Sequence, residues 1–175
     1  NAILKQYQKL LAMDEVRLEF EDDALMAIGA KMGISDFIKY QSLFNFGSKT
    51  GIDLPEEIAG IVYDQKGMNE VELATCTFGQ GFTCTMIQQI ASFCAVVNGG
   101  YYYQPHVVEK VLDENGKIIK SSDGMLLKQP ISNHVSSLLR QYLETTVSEG
   151  TGRKAQVPGY RVGGKTGTAE KIDYT

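Results

Sequence analysis

Cysteine, histidine and tryptophan are scarce in this 175-residue chain, at three, two and none. Cys76, Cys84 and Cys94 are an odd count, spaced eight and ten apart. That fits neither a zinc pattern nor a disulfide framework, so they are expected to act as small buried hydrophobes. His106 and His134 have no cysteine close by in the sequence, so neither a metal nor a cofactor is expected. Positive charge is not in excess: 17 Lys and Arg face 21 Asp and Glu, a net charge of -4. Without surplus cations to neutralise phosphates, nucleic acid is excluded as a default partner. No run reaches the ~18–20 apolar residues that a membrane span needs. No charged-then-apolar signal peptide opens the chain, and no internal repeat or low-complexity tract is present.

What remains is ordinary globular composition, 43% apolar and 22% charged. The length suits about one domain. Ile3, Leu4, Tyr7, Leu10 and Leu11 follow helical spacing. A second helix is predicted from Asp22 or Asp23 through Leu25, Met26, Ile28 and Met32, ending at Gly33. A third is predicted from Ser35 through Phe37, Ile38, Leu43 and Phe44 to Gly47. Region 64–84 shows no sustained period. Thr85 then caps a predicted helix with Met86, Ile87, Ile90, Cys94 and Val97 on one face, stopped by Asn98-Gly99-Gly100. Val107–Leu112 and Ile118–Ile119 flank Asp113-Glu114-Asn115-Gly116, a predicted β-hairpin in which Asn-Gly supplies positive φ. Ser132 caps a helix with Val135, Leu138, Leu139, Tyr142, Leu143 and Val147 on its apolar face, ended by Gly150 or Gly152. Residues 160–169 are predicted to form a Gly-rich terminal strand. This order is α+β and not a βαβ series.

The segment richest in chemistry is Gly159-Tyr160-Arg161-Val162-Gly163-Gly164-Lys165-Thr166. Taken literally it matches the phosphate-binding pattern G-x-x-x-x-G-K-[ST]. That loop needs a buried strand before it and a long helix after it, with N-terminal N–H groups facing the phosphates. Val157-Pro158-Gly159 is a poor buried strand and Gly167 a poor helix start, so nucleotide binding is disfavoured. The other reading is a K-T-G-T strand over Lys165, Thr166, Gly167 and Thr168.

Four motifs set that strand in context. They are Phe46-Gly47-Ser48-Lys49-Thr50-Gly51-Ile52-Asp53-Leu54-Pro55-Glu56, then Phe78-Gly79-Gln80-Gly81, then Asn98-Gly99-Gly100-Tyr101 with Pro105-His106, and last Glu149-Gly150-Thr151-Gly152 with Gly163-Gly164-Lys165-Thr166-Gly167-Thr168-Ala169-Glu170. In this order, over about residues 22–171, the chain resembles class B penicillin-binding proteins, whose signature set includes K-T-G. The resemblance implies a mostly helical piece of the transpeptidase fold, in which helices pack on a five-stranded antiparallel sheet. It implies D,D-transpeptidase chemistry: a serine attacks the penultimate D-Ala carbonyl of a peptidoglycan stem peptide, and a second stem's amine resolves the acyl-enzyme. Penicillins acylate the same serine. By resemblance, Lys165 brings positive charge to the substrate carboxylate and the proton-shuttling groups. Thr166 and Thr168 bind that carboxylate, Gly167 allows close backbone approach, and the Thr168 N–H serves as an oxyanion donor. Lys49-Thr50-Gly51 falls in the first loop and is expected to be structural.

The chain also departs from the family. None of its ten serines has Lys three residues later, and no S-x-N occurs. The family's S-x-x-K lies upstream of every motif matched here, so the chain alone is expected to be inactive. Where the family places S-x-N, this chain has Phe20-Glu21-Asp22. Residues 1–21 are accordingly expected to be a helix or linker of separate origin, and 22–175 a partial transpeptidase domain. The resemblance implies stem peptides and β-lactams as partners, and a place on the extracytoplasmic face of the bacterial cytoplasmic membrane. The sheet strands missing here predict exposed edges and apolar faces, and hence a homodimer. The rival reading is a non-catalytic helical interaction module.

Overall fold

A computed structural model describes residues 30–77, 79–122 and 124–165. The helix expected over 3–11 and residues Thr166, Gly167 and Thr168 lie outside them. In chain order the elements are α1 (Ile34–Leu43), α2 (Glu70–Thr77), α3 (Met86–Val97), β1 (Tyr102–Tyr103), β2 (Lys110–Leu112), β3 (Ile118–Ser121), β4 (Leu126–Lys128), α4 (Asn133–Ser148) and a 3-10 turn (Arg153–Ala155). The α+β class holds. The described residues fall into two compact units, one with Ser35–Gly67 and Phe82–Ser136, the other with Met68–Gly81 and the chain from Ser137 on.

In the first unit, α3 begins where the sequence places it. Thr85 and Gln88 form a reciprocal capping box, in which the Thr85 hydroxyl accepts from the Gln88 N–H and the Gln88 side chain from the Thr85 N–H. The buried face of α3 is not the expected one. Met86 is 80% exposed and Ile90 60%, and Cys94 is exposed. The stripe turned inward is Gln88, Ser92 and Ala95. The cause is unmet hydrogen bonding in the loop ahead of it. The Gln88 amide donates to the Ser48 and Ala59 carbonyls, each at 2.7 Å, and the Ser92 hydroxyl donates to the Phe44 carbonyl at 2.7 Å. Part-buried carbonyls gain from donors, and an apolar stripe has none to offer.

Two antiparallel pairs follow. β1 pairs with β4, with Tyr102 opposite Lys128. Lys128 reaches the Ser42 carbonyl at 2.8 Å and the Asn45 side-chain oxygen at 3.0 Å, and its ammonium lies 5.4 Å from the centre of the buried Tyr102 ring. β2 pairs with β3 through Val111 opposite Lys120 and Leu112 opposite Ile118, the hairpin the sequence predicts. Its turn differs in detail: Gly116 carries positive φ, at +79°, and Asn115 does not. Asp113 supplies the rest by accepting the Asn115 and Lys117 N–H groups on one carboxylate oxygen. Val111, Leu112, Ile118 and Ile119 stay exposed on this ribbon.

In the second unit, α2 occupies part of the region that has no sustained period in the sequence. Asn69 caps it, accepting from the Val71 N–H at 2.8 Å, while the Glu72 carboxylate accepts the Asn69 N–H at 3.2 Å. Leu73 and Cys76 are its buried residues. α4 starts within the first unit, where the Ser132 hydroxyl accepts the Val135 N–H as expected, and continues into the second from Ser137. Of the predicted α4 face, Val147 is buried, while Val135, Leu138 and Tyr142 are exposed. The G-T-G turn closes the helix: Gly150 donates to the Thr145 carbonyl at 3.1 Å and Gly152 to that of Thr146 at 3.0 Å. The predicted terminal strand is not seen over its described part. Residues 161–165 carry no strand pairing, and the Gly164 N–H donates to a carbonyl of α4.

Candidate functional site

Lys165 is the last described residue of the K-T-G-T segment, and it is exposed. The stretch before it is anchored to α4. The Gly164 N–H donates to the Leu143 carbonyl at 3.0 Å. Arg161 clasps the Glu144 carboxylate through Nε, at 2.7 Å, and through Nη2. This two-pronged contact holds the Glu144 carboxyl below its ordinary value, the hydrogen bond from the guanidinium outweighing partial burial. A Cβ at Gly163 would lie 3.2 Å from the Leu143 Cβ, a tight approach, whereas one at Gly164 would make an ordinary contact at 3.4 Å with a Val147 methyl. Gly163 therefore eases the close run of the backbone along the helix on its way to Lys165. The Gln156 side-chain amide donates to the Val147 and Ser148 carbonyls, capping α4 beneath the same stretch.

This geometry does not suit a phosphate cradle. Val157 is half exposed, so no buried strand precedes Gly159, and the Gly164 N–H is committed to Leu143. No group of His, Cys, Asp or Glu able to hold a metal exists among the described residues. Burial pushes the Cys76 and Cys84 thiols up, as fits inert thiols. Cys94 departs from the expected burial and is exposed.

The other K-T-G, Lys49-Thr50-Gly51, is tied into its loop by hydrogen bonds. Thr50 is buried, and its N–H and hydroxyl both donate to one Glu57 oxygen, at 2.6 and 2.5 Å, while the Gly51 N–H donates to the other at 3.0 Å. Burial pulls the Glu57 carboxyl up, but these donors outweigh it and leave the pKa below the usual value. Asp53 accepts the Val107 and Val108 N–H groups at 2.7 and 2.9 Å, which lower its pKa likewise. The Gln104 side chain donates to the Gly51 carbonyl. The T-G-I-D-L-P-E loop and the P-H segment are thus stapled together by carboxylates acting on backbone N–H groups. In the N-G-G-Y turn, Asn98 bonds both backbone groups of Tyr101. The buried Ser136 hydroxyl accepts the Gly99 N–H and donates to the Val96 carbonyl. Of these, Gln88, Gln104, Ser136, Glu144 and Gln156 carried no expectation from the sequence. Only Gln88 left a local trace there, as the third residue after the Thr85 cap.

The mixed helices and short antiparallel pairs, with the motifs carried along the chain, belong to one class: the penicillin-binding transpeptidase domain. The family model described as the penicillin binding protein transpeptidase domain matches residues 21–175, and the chain belongs to that family. Among individual proteins it is 46% identical over 146 residues to Stage V sporulation protein D of Bacillus subtilis, covering 83% of this chain and 23% of that protein. Against penicillin-binding protein H of the same organism it is 34% identical over 142 residues, or 77% of this chain and 20% of the relative. The crystal structure of penicillin binding protein 3 from Mycobacterium tuberculosis, complexed with ampicillin, superposes with a TM-score of 0.79 at 27% identity, over 85% of this chain and 34% of that one. The chain therefore spans about a quarter or less of the length of these curated relatives, and it is a part of a penicillin binding protein transpeptidase domain. No described helix is long and apolar enough to cross a membrane.

Proposed function

We propose that this chain forms the carboxylate-binding wall of a serine D,D-transpeptidase that cross-links peptidoglycan at the extracytoplasmic face of the cytoplasmic membrane. Lys165 supplies positive charge toward the stem peptide's terminal carboxylate, and Thr166 and Thr168 hydrogen-bond it. Gly167 leaves room for the acyl group, and the Thr168 N–H stabilises the oxyanion. β-Lactams enter the same site as substrate mimics. The observation that carries this reading is the anchoring of Arg161 and Gly164 on α4, which holds the backbone immediately before Lys165. Residues 1–21 stand apart from the domain at 22–175 in this reading, and the isolated chain self-associates through its exposed apolar surfaces.

The test joins residues 22–175 to the preceding part of the transpeptidase domain of Stage V sporulation protein D, which supplies the upstream half. The chimera is expected to be labelled by a fluorescent penicillin. Lys165→Ala should slow labelling by about 100-fold or more, the scale of losing one electrostatic stabiliser, with melting temperature unchanged. A folded Lys165→Ala chimera labelled at the parental rate would overturn the assignment.

A further inference from the structure

A cavity of about 510 Å³ opens between the end of α4 and the stretch from Arg153 to Val162. Its size lies within the ~300–1,000 Å³ usual for small-ligand sites. Val147, Val157, Pro158 and Val162 form an apolar wall, and Tyr160 adds an exposed ring. Three charged side chains also line it: Arg153, Arg161 and Glu144. Glu144 neutralises Arg161 by accepting from its Nε and Nη2, which leaves Nη1 for another acceptor. Arg153 has no side-chain partner among the described residues. The lining thus carries one uncompensated positive charge beside an apolar surface. The C-terminus of α4 adjoins it and contributes negative potential, which favours a monoanion over a dianionic phosphate.

We infer that this cavity binds a small organic carboxylate with an apolar body, and that its occupancy braces the segment leading to Lys165. The carboxylate pairs with the Arg153 guanidinium and the free edge of Arg161, and the body lies on Val147, Val157 and Val162. The bracing follows from connectivity. The cavity's outer wall, Val157–Val162, runs directly into Gly163, Gly164 and Lys165. Within the unit it is held to α4 by the two-pronged Arg161–Glu144 contact and one backbone hydrogen bond. An occupant touching both α4 and this wall adds contacts across the joint. Its lining residues are not those proposed to bind substrate at Lys165, Thr166 and Thr168, although Arg161 also anchors the segment leading to them.

The experiment titrates N-acetylphenylalanine, and its uncharged amide as control, into the 175-residue chain, with calorimetry and backbone amide NMR as readouts. The acid should give saturable shifts at Tyr160–Gly164 and slow hydrogen exchange at Val162, Gly163 and Gly164. The amide, and the acid with Arg153→Gln, should bind about tenfold more weakly or less. Arg153 is exposed and unpaired, so this variant keeps the fold. Lys165→Ala should bind the acid as the parent does. The inference is overturned by absence of a saturable shift up to millimolar probe, by equal binding of acid and amide, by parental binding in Arg153→Gln, or by loss of binding in Lys165→Ala, which would move the ligand to the Lys165 site.

Discussion

Gln88→Leu should be among the most damaging single changes in this chain, although it replaces a polar helix residue with an apolar one of similar size. The Gln88 side chain is fully buried. It gives two hydrogen bonds of 2.7 Å to the Ser48 and Ala59 carbonyls and accepts one of 2.8 Å from the Thr85 N–H. Leucine conserves volume, so no cavity term enters, and the effect isolates the polar contacts. Each buried group stripped of its partner loses about 1–3 kcal/mol. With three such groups the upper sum is about 9 kcal/mol, but water reaching the Ser48 side, where the residue is exposed, recovers part of it. A loss of about 3–5 kcal/mol is the expectation, against a usual total of about 5–15 kcal/mol for a domain. Ile90→Ala is the matched control. Ile90 is 60% exposed, so its truncation should change stability by less than about 1 kcal/mol. Helical periodicity alone predicts the reverse order, since it assigns Ile90 to the core. Urea denaturation followed by far-UV circular dichroism measures both. If Ile90→Ala proves more destabilising than Gln88→Leu, the inward placement of the Gln88–Ser92–Ala95 stripe is wrong.

The lowered pKa values of Asp53 and Glu57 set a pH dependence. A carboxylate with a depressed folded pKa stabilises fully above its unfolded value, about 4, and that contribution is lost as pH falls through the folded value. Melting temperature should therefore drop on acidification below about pH 4, and less steeply in Asp53→Asn; an equal slope in parent and variant would refute the staple. Benzylpenicillin should add no mass to the isolated chain, because none of its ten serines has the Lys partner three residues later that activates the family's nucleophile; a covalent adduct by intact mass spectrometry would contradict this. Light scattering should detect concentration-dependent self-association, since Val111, Leu112, Ile118 and Ile119 lie exposed on a two-stranded ribbon. A monomer across a hundredfold dilution range would end that proposal.

Much of the local architecture was legible in the residues. Thr85 and Ser132 announce helix starts because a hydroxyl satisfies first-turn N–H groups wherever it stands. The hairpin follows from short apolar runs around a Gly-containing turn. Asn69-x-x-Glu72 was a comparable cap signal for α2, hidden because that helix is short and carries few inward apolar residues. The K-T-G-T segment and its companion motifs were legible because each depends on residue types at fixed local spacing.

Periodicity could not say which side of α3 faces inward. That was decided by the carbonyls of Ser48 and Ala59, 40 and 29 residues away from Gln88, whose need for donors exists only once the loop has folded against the helix. The same holds for Asp53 reaching Val107 over 54 residues and for Arg161 gripping Glu144 over 17. The residue types along the chain determined the family, the helix starts and the position of Lys165. Only the tertiary structure decided which polar side chains act as fasteners, because a hydrogen bond between distant residues depends on their meeting in space, and no local spacing encodes it.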